Sequence, residues 1–397
     1  MREICSYYVT NQKCYTVGDK PIHVGTENKI KMIEKYVEAW INKICQCQSK
    51  LSYKGIIFVD AMANSGYYQN KDKNEIKGTS LRVANLFEKY CKKYTDFSFE
   101  IILNDIDYQA IECQKCHLHN INPKVKIYYK NYDVKDIITC LINFLQFKKN
   151  VHILFFYDPF NVDIHWNEIV ALIKRTLNSK DKGIDLILTH FHQNDPNRGL
   201  LAAKSPEVIK RYERSYQMHF EEIQLALSNK TGPERRQFFR NRILDLLKQK
   251  LQIDGSKLAY APVFNSVDSS VYDIVFFSRS LKAKELFKKE MYRQQKTKYE
   301  PKGQLAFPFF DNPYSSVEKE KHVFCSPYFF AREIYNNFYG RNVKKKDLKK
   351  YLDTHVYIPN VIQDINKNLK DYFNVEIASK KNGYVYKFPI NDDYIIW

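Results

Sequence analysis

The sequence predicts an α/β protein. It would have a doubly wound, mostly parallel sheet with a helical insertion, followed by a C-terminal domain of winged-helix type. Three observations predict it. Apolar runs such as "IIFVD" (56–60), "FSFEIILND" (97–105) and "VHILFFYDPF" (151–160) alternate with helical stretches of ten or more residues. The runs lack polar alternation, so both faces of the sheet must be covered. The segment 328–397 reads as three short helices and a hairpin.

The elements follow in order. Residues 26–48 place Ile30, Ile33, Tyr36, Val37, Trp40, Ile41 and Ile44 at helical spacing on one stripe, with Thr26 placed to cap it. The first strand is Gly55 to Asp60, followed by a helix over 79–94. The second strand is Phe97 to Asn104, with a helix over 108–120. A third strand at 125–133 precedes a helix at 134–147, and a fourth at 151–160 precedes a helix at 166–176. The fifth strand is 183–191. Residues 204–250, rich in charge and aromatics, read as an insertion of two helices. "KLAYAPVFN" and "SVYDIVFFSRS" then fit a hairpin closing the sheet. Residues 301–327 carry four prolines and no periodicity, which reads as a linker. In the tail, Asn382-Gly383 is a strong hairpin turn. The expected organisation is a helical segment at 1–50, an α/β domain at 51–300, a linker, and the winged-helix domain at 328–397.

With 397 residues, 44% hydrophobic and 15% aromatic, the chain can bury a large core in two or three domains. No window has the apolar length of a membrane span, and "MREICSYYVTNQKC" has no secretory apolar run. A cytoplasmic protein is expected. Nine scattered cysteines fit free thiols in a reducing compartment. The tightest cluster, Cys113, Cys116, His117 and His119, lacks a second ligand pair at standard spacing and falls within a helix, so no metal site is expected. The net charge of +18 points to a polyanionic partner, with nucleic acid the commonest, although a lysine-rich composition gives the same excess without a partner.

In doubly wound sheets ligands bind outside the carboxyl ends of the strands. Here those tips carry Asp60, Asn64 and Gly66; Asn104, Asp105 and Asp107; Asp133; Asp158; and Thr189, His190 and His192. A carboxylate after the second strand can accept both ribose hydroxyls, and one after the third can accept an adenine amine. The turn after the first must let backbone approach the ligand, which favours glycine. Neither GxxxxGK[ST] nor a complete GxGxxG occurs, so S-adenosylmethionine fits better than a nucleotide triphosphate or a dinucleotide. Asp60, Asn64, Gly66, Asp105 and Asp133 are therefore the candidate cofactor residues. "DPF" at 158–160 resembles the Asp-Pro-Pro-aromatic motif of amino-methylating enzymes, with Asp158 to hold the amine and Phe160 to stack on a base. The simpler account is that Asp is common at strand ends because it starts turns and caps helices.

"TENKIKMIEKYVEAW", "FVDAMANSGYY", "KGTSL", "FYDPFNVDIHW" and "VYDIVFFSRS", in this order over about residues 20–305, resemble the three-Cys-motif partner (TcmP) family. The resemblance implies a Rossmann-type methyltransferase-like domain with an N-terminal helix. It also implies a partner protein carrying a three-cysteine cluster. That family's turn reads Asp-x-Phe-Ala-Gly-x-Gly; Asp60, Ala63 and Gly66 match, while Asn64 replaces a glycine. Asn161 replaces another, after the Asp-Pro-aromatic. Asn tolerates left-handed backbone, so the turn can survive.

In the tail, the third helix, about 358–372, carries Lys367. The second is preceded by Lys344, Lys345 and Lys346, and the wing carries Lys380 and Lys381. These are the candidate nucleic-acid contacts. "PERRQFFRNR" at 233–242 offers a second basic-aromatic stretch, or simply an amphipathic helix burying its two Phe. The expected function is S-adenosylmethionine-dependent methyl transfer to nucleic acid, in a mobile-element or defence locus together with a partner protein. The rival is a non-catalytic nucleic-acid-binding or protein-partner scaffold that keeps the fold. A third reading is a metal-dependent nuclease built on Asp158, His190 and His192.

Overall fold

Every residue of strand β1, Gly55–Asp60, is buried, and its side chains alternate between two cores. Ile57 and Val59 join one face; Ile56 and Phe58 join the other. A strand apolar on both sides belongs inside a covered sheet, and it lies there in the computed structural model. The structure describes residues 22, 24–47, 52–72, 74–159, 162–191, 205–264, 270–297, 317–380 and 383–389.

The chain begins with α1 (Val24–Gln46) and then builds β1. A small hairpin follows, β2 (Tyr67–Gln69) with β3 (Glu75–Lys77), before α2 (Thr79–Lys93). The alternation continues through β4 (Ser98–Asn104), α3 (Tyr108–Leu118), β5 (Val125–Lys130), α4 (Val134–Gln146), β6 (Val151–Tyr157), α5 (Trp166–Leu177) and β7 (Lys182–Phe191). After the insertion come β8 (Leu258–Phe264), β9 (Ser270–Ser278) and α9 (Leu281–Gln295). The sheet order is β5-β4-β1-β6-β7-β9-β8. The first five of these are parallel; β9 is antiparallel to both β7 and β8. The order reverses at β1, where chain direction along the sheet switches, so β1, β4 and β6 meet at the position where such sheets bind ligands. This is the expected doubly wound Rossmann-type α/β fold.

Helices α1, α2 and α9 cover one face, and α4, α5 and the insertion cover the other. The α1 stripe of Ile33, Tyr36, Val37, Trp40 and Ile41 is fully buried. Tyr36 packs edge-on to Phe276 and Phe287, and Trp40 Nε1 donates to Asp185 on β7 (3.1 Å). Thr26 does not cap this helix. α1 starts two residues earlier, and the Thr26 hydroxyl bonds the Tyr272 hydroxyl instead (3.0 Å).

The insertion has three helices where two were expected: α6 (Pro206–Tyr216), α7 (Phe220–Leu227) and α8 (Gly232–Leu251). Gln217 takes a left-handed conformation (φ +49°) and ends the first of them. On α8 the basic-aromatic stretch faces inward. Arg240 is buried in an ion pair with Asp273 (2.9 Å) and stacks on Tyr260 and Phe324. Arg242 donates to the Tyr216 and Gln217 carbonyls, and Phe239 is fully buried. The phosphate-binding reading of these residues is corrected: an amphipathic helix buries its aromatics and ties its arginines to the core.

The segment read as a linker contains α10 (Val317–Cys325); its residues 301–316 lie outside the described residues. Beyond it come α11 (Pro327–Phe338), β10 (Asn342–Lys344), α12 (Lys345–Thr354), α13 (Ile362–Phe373), β11 (Glu376–Lys380) and β12 (Gly383–Lys387). The three strands form an antiparallel sheet in the order β10-β12-β11 over a separate core that includes Phe330, Ile334, Leu348, Leu352, Ile365, Leu369 and Phe373. Strand β10 is too short for its pattern to show in the sequence.

This unit docks on α9 and on β8. The Tyr260 N–H on the edge strand donates to the Val356 carbonyl (3.1 Å), which ties β8 to the tail. Lys288 Nζ donates to the carbonyls of Leu352, His355 and Ile358, and Lys284 Nζ to those of Gly255, Asp353 and Thr354. Both lysines are buried, and together they satisfy the free carbonyls where α12 ends.

Candidate active site at the strand tips

The turn after β1 is held open by backbone geometry. Asn64 and Gly66 both lie in the left-handed region, at φ +52° and +93°. Asparagine is the residue other than glycine best suited to that region, which is how the turn keeps its path without the glycine. At Gly66 a Cβ would come within 3.1 Å of Gln114 Oε1 and of Leu81. The Gly66 carbonyl accepts from the Gly78 N–H (2.7 Å). Gln114, fully buried on α3, fixes the turn from below: its Nε2 donates to the Ala63 and Asn64 carbonyls and to Ser80 Oγ. Gln114 sits between Cys113 and Cys116. The cluster singled out there is built to hold the turn: Cys113 is buried, and His117 packs on Tyr67 (4.7 Å). Among the described residues no three His, Cys, Asp or Glu side chains gather as a metal site.

Asn104, at the tip of β4, joins three tips. Its Nδ2 donates to the carbonyls of Ala61 and Tyr132, and its Oδ1 accepts from the Tyr132 N–H (3.1 Å). Beside it Asp105 accepts from the Asn64 N–H (2.8 Å) and the Asp107 N–H (2.9 Å). Burial pushes the Asp105 carboxyl above the usual carboxylate range. Asp133, after β5, is exposed and accepts from the Lys135 N–H at the start of α4 (2.9 Å).

A recess of about 130 Å³ opens among these tips, lined by Ala61, Met62, Asn104, Asp105, Ile106, Tyr132, Asp133, Val134, Tyr157, Pro159, Asp163 and His165. Ile106 is 70% exposed and Tyr132 is 40% exposed, so two apolar side chains flank the carboxylates with nothing yet covering them. His165 is nearly buried at the start of α5, and burial holds its imidazole below the ordinary value.

Beyond Ala61 and Pro159 the rim becomes a charge cluster. Lys29, on α1, is 5% exposed and contacts both oxygens of Asp158, at 2.8 and 2.6 Å. Thr189 Oγ1, at the tip of β7, hydrogen-bonds the Asp158 Oδ1 as well. The Lys29 ammonium also lies 4.4 Å from the centre of the Tyr272 ring. Burial works to lower the Lys29 pKa, but Asp158, Tyr272 and Asp60 outweigh it and raise it. Asp60 is 2% exposed and accepts from the Met62 N–H (3.3 Å). Burial first, and then the charge of Asp158, push its carboxyl well above the usual range. The Tyr68 hydroxyl is pushed up too, by burial and then by Asp158 and Asp60.

Of the candidate residues, Asp105 and Asp133 line the recess, while Asp60, Asn64, Gly66 and Asp158 do not; Asp60 and Asp158 are the chain neighbours of Ala61 and Pro159, which do. Asp158 is not a free carboxylate waiting for an amine, because Lys29 and Thr189 already occupy it. Phe160, His192 and Lys381 lie outside the described residues. The three-residue metal reading fails on geometry. Thr189 faces Asp158, while the next residue, His190, points through the other face of the strand, where it bonds the Tyr216 hydroxyl (2.9 Å) and packs on Phe239. Among the tail residues, Lys344, Lys345, Lys346 and Lys367 are exposed, and Lys380 is the last residue of β11.

Lys29, Gln114, Ile106, Tyr132 and His165 were missed in the sequence. Only Lys29 left a signal: it stands in register with Ile33, Tyr36 and Trp40, on the stripe that α1 buries.

No family model matches the chain, and no curated protein matches it. Among solved structures, the plantazolicin methyltransferase BamL in complex with a triazolic desmethylPZN analog and SAH is similar at 10% identity and a TM-score of 0.26. It covers 62% of this chain and 86% of its own. The plantazolicin methyltransferase BpumL, in complex with a monoazolic analog and SAH, is similar at 12% identity and a TM-score of 0.25, over 64% and 86%. Likeness this weak supports no assignment.

Proposed function

We propose that this protein binds S-adenosylmethionine at the strand tips and transfers its methyl group to a nucleic acid. The observation that carries the reading is the recess itself. Asp105 and Asp133 sit on one rim, with Ile106 and Tyr132 beside them and a left-handed turn below. Asp105 would accept the ribose hydroxyls, Asp133 the adenine amine, and Ile106 and Tyr132 would cover the faces of the base. The turn at Asn64 to Gly66 would let the backbone approach the donor chain. S-adenosylmethionine supplies an electrophilic methyl group. What the protein must add is alignment, so few acid–base groups are needed. His165 and Tyr157 close the recess from the α5 side and would exclude water from the base.

The nucleic-acid part of the reading is supported by charge. The chain carries +18, and Lys344, Lys345, Lys346, Lys349, Lys350, Lys367 and Lys370 are exposed on the tail. We read that tail as a winged helix, with α13 toward the groove and the β11–β12 hairpin as wing. The resemblance to the three-Cys-motif partner family adds a partner protein with a three-cysteine cluster.

Incubating the protein with methyl-labelled S-adenosylmethionine and duplex DNA, structured RNA or a peptide library tests the acceptor. Label in nucleic acid is expected; label in peptide alone would overturn that part. One observation favours the scaffold reading: Asp158 is closed by Lys29 and Thr189, so the tip most suited to an acceptor amine is already filled. Binding of nucleic acid with no binding of S-adenosylhomocysteine would select it.

A further inference from the structure

The charge cluster beside Ala61 and Pro159 of the recess lining is built from parts of four elements. Lys29 comes from α1, Asp60 from β1, Asp158 from beyond β6 and Thr189 from β7. Burying an ammonium, a carboxylate and a carboxyl group pushed well above the usual range is expensive unless the cluster is needed or completely paired. Elsewhere in the same protein the buried Arg240 is held by Asp273 (2.9 Å) and stacks on two aromatic rings, well away from the recess lining. Here, among the described residues, Lys29 pairs with Asp158, with Asp60 and, farther out, Asp105 nearby. The cluster thus offers an ammonium and carboxyl groups at short range, next in the chain to Ala61 and Pro159 of the recess lining. An α-amino acid end has both signs as well: an ammonium to meet Asp60 and Asp158, and a carboxylate to meet Lys29.

We propose that Lys29 is a specificity-determining residue that reads the carboxylate of the ligand's amino-acid end. This rests on the reading of the recess as a nucleoside site. In the structure Asp158 holds the ammonium. When the ligand arrives, its carboxylate shares the ammonium with Asp158, and its own ammonium meets the carboxylate side of the cluster. Helix α1, which lies outside the sheet, thereby completes the pocket. It is held there by the buried stripe through Trp40 and by the Thr26–Tyr272 hydrogen bond, not by the ligand.

The test uses calorimetry of the whole chain with three probes: S-adenosylhomocysteine, its decarboxylated analogue, and methylthioadenosine, which has no amino-acid end. The native protein is expected to prefer S-adenosylhomocysteine over the decarboxylated analogue by about tenfold or more, as for a charge-assisted hydrogen bond. Lys29→Met should erase that preference while changing methylthioadenosine affinity less than about twofold; Lys29→Arg should keep most of it. Lys29→Met leaves Asp158 without its cation and can fail to fold. The double variant Lys29→Met/Asp158→Asn removes both charges, and the preference should vanish there too. A preference that survives in Lys29→Met or in the double variant overturns the role of Lys29 while leaving the nucleoside site standing. Equal loss of all three probes in Lys29→Met does the same, since it marks Lys29 as a structural prop. No binding of any probe to the native protein removes the nucleoside site, and Lys29's role with it.

Discussion

Two places in this molecule bury lysines, and they treat them differently. Where the tail docks, Lys284 and Lys288 spread their N–H groups over six backbone carbonyls, five at or just after the end of α12 and the sixth that of Gly255 before β8. Those carbonyls are neutral and fixed, and the contacts complete a helix terminus that would otherwise be buried unsatisfied; Lys288 also pairs with Glu285 one turn earlier on its own helix (3.2 Å). At the strand tips Lys29 faces the Asp158 carboxylate, with the Asp60 carboxyl nearby pushed well above the usual range. The first arrangement is finished without a ligand. The second holds ionisable side chains of both signs, strongly perturbed, in a buried place beside a recess. Groups perturbed in this way beside a recess are candidates for a functional site.

The comparison breaks most visibly at Lys288. Replacing it with Met should strand three carbonyls and cost about 3 kcal/mol or more, read as an earlier denaturant midpoint and faster proteolysis of the tail. An unchanged midpoint would mean that the docking does not depend on these lysines. Gly66→Ala is next. The left-handed φ and the close approach of Gln114 should cost about 1–3 kcal/mol, together with ligand binding, since both depend on the same turn.

The tail's surface charge is a separate matter. Reversing Lys344, Lys345 and Lys346 to Glu should weaken duplex binding and shallow its salt dependence by about 0.9 for each lost phosphate contact. Unaltered binding would move the contact away from α12.

The smallest effects are in pH, and the two regions should differ in sign. Asp60 has a folded pKa above its unfolded value, so the folded protein holds more protons between the two, and stability falls as pH rises through that window. Asp60→Asn should remove that decline. Lys284 is pushed down to about 7, by burial and then by Lys288, so the unfolded chain binds more protons above that pH. There stability rises with pH from about 7 toward the ordinary lysine value. Lys284→Met should flatten that rise. Denaturation midpoints across pH for both variants give the two signs directly, and matching signs would mean that the two clusters are not distinct in kind.

Much of this was legible in the sequence. Fully apolar strands such as "IIFV" and "HILFFY" can survive only inside a covered sheet, and alternation with long helices leaves parallel pairing as the economical solution. The candidate rim was legible for the same reason: polar residues that end buried strands have one direction to go. What could not be read was pairing across the chain. Asp158 is 129 positions from Lys29, and nothing local distinguishes a carboxylate that waits for a ligand from one already held. His190 and Thr189 are adjacent in sequence yet serve opposite faces, and only the register of β7 decides which. The inward turn of Arg240 depends on Asp273, which lies on a strand 33 residues later.

Titrating S-adenosylhomocysteine into the native protein and into Asp105→Ala tests the central claim most directly. Binding on the order of micromolar by the native chain, weakened by about a hundredfold or more in the variant, is expected if Asp105 holds a ribose inside the recess. No heat with the native protein, or equal affinity in the two, would contradict it.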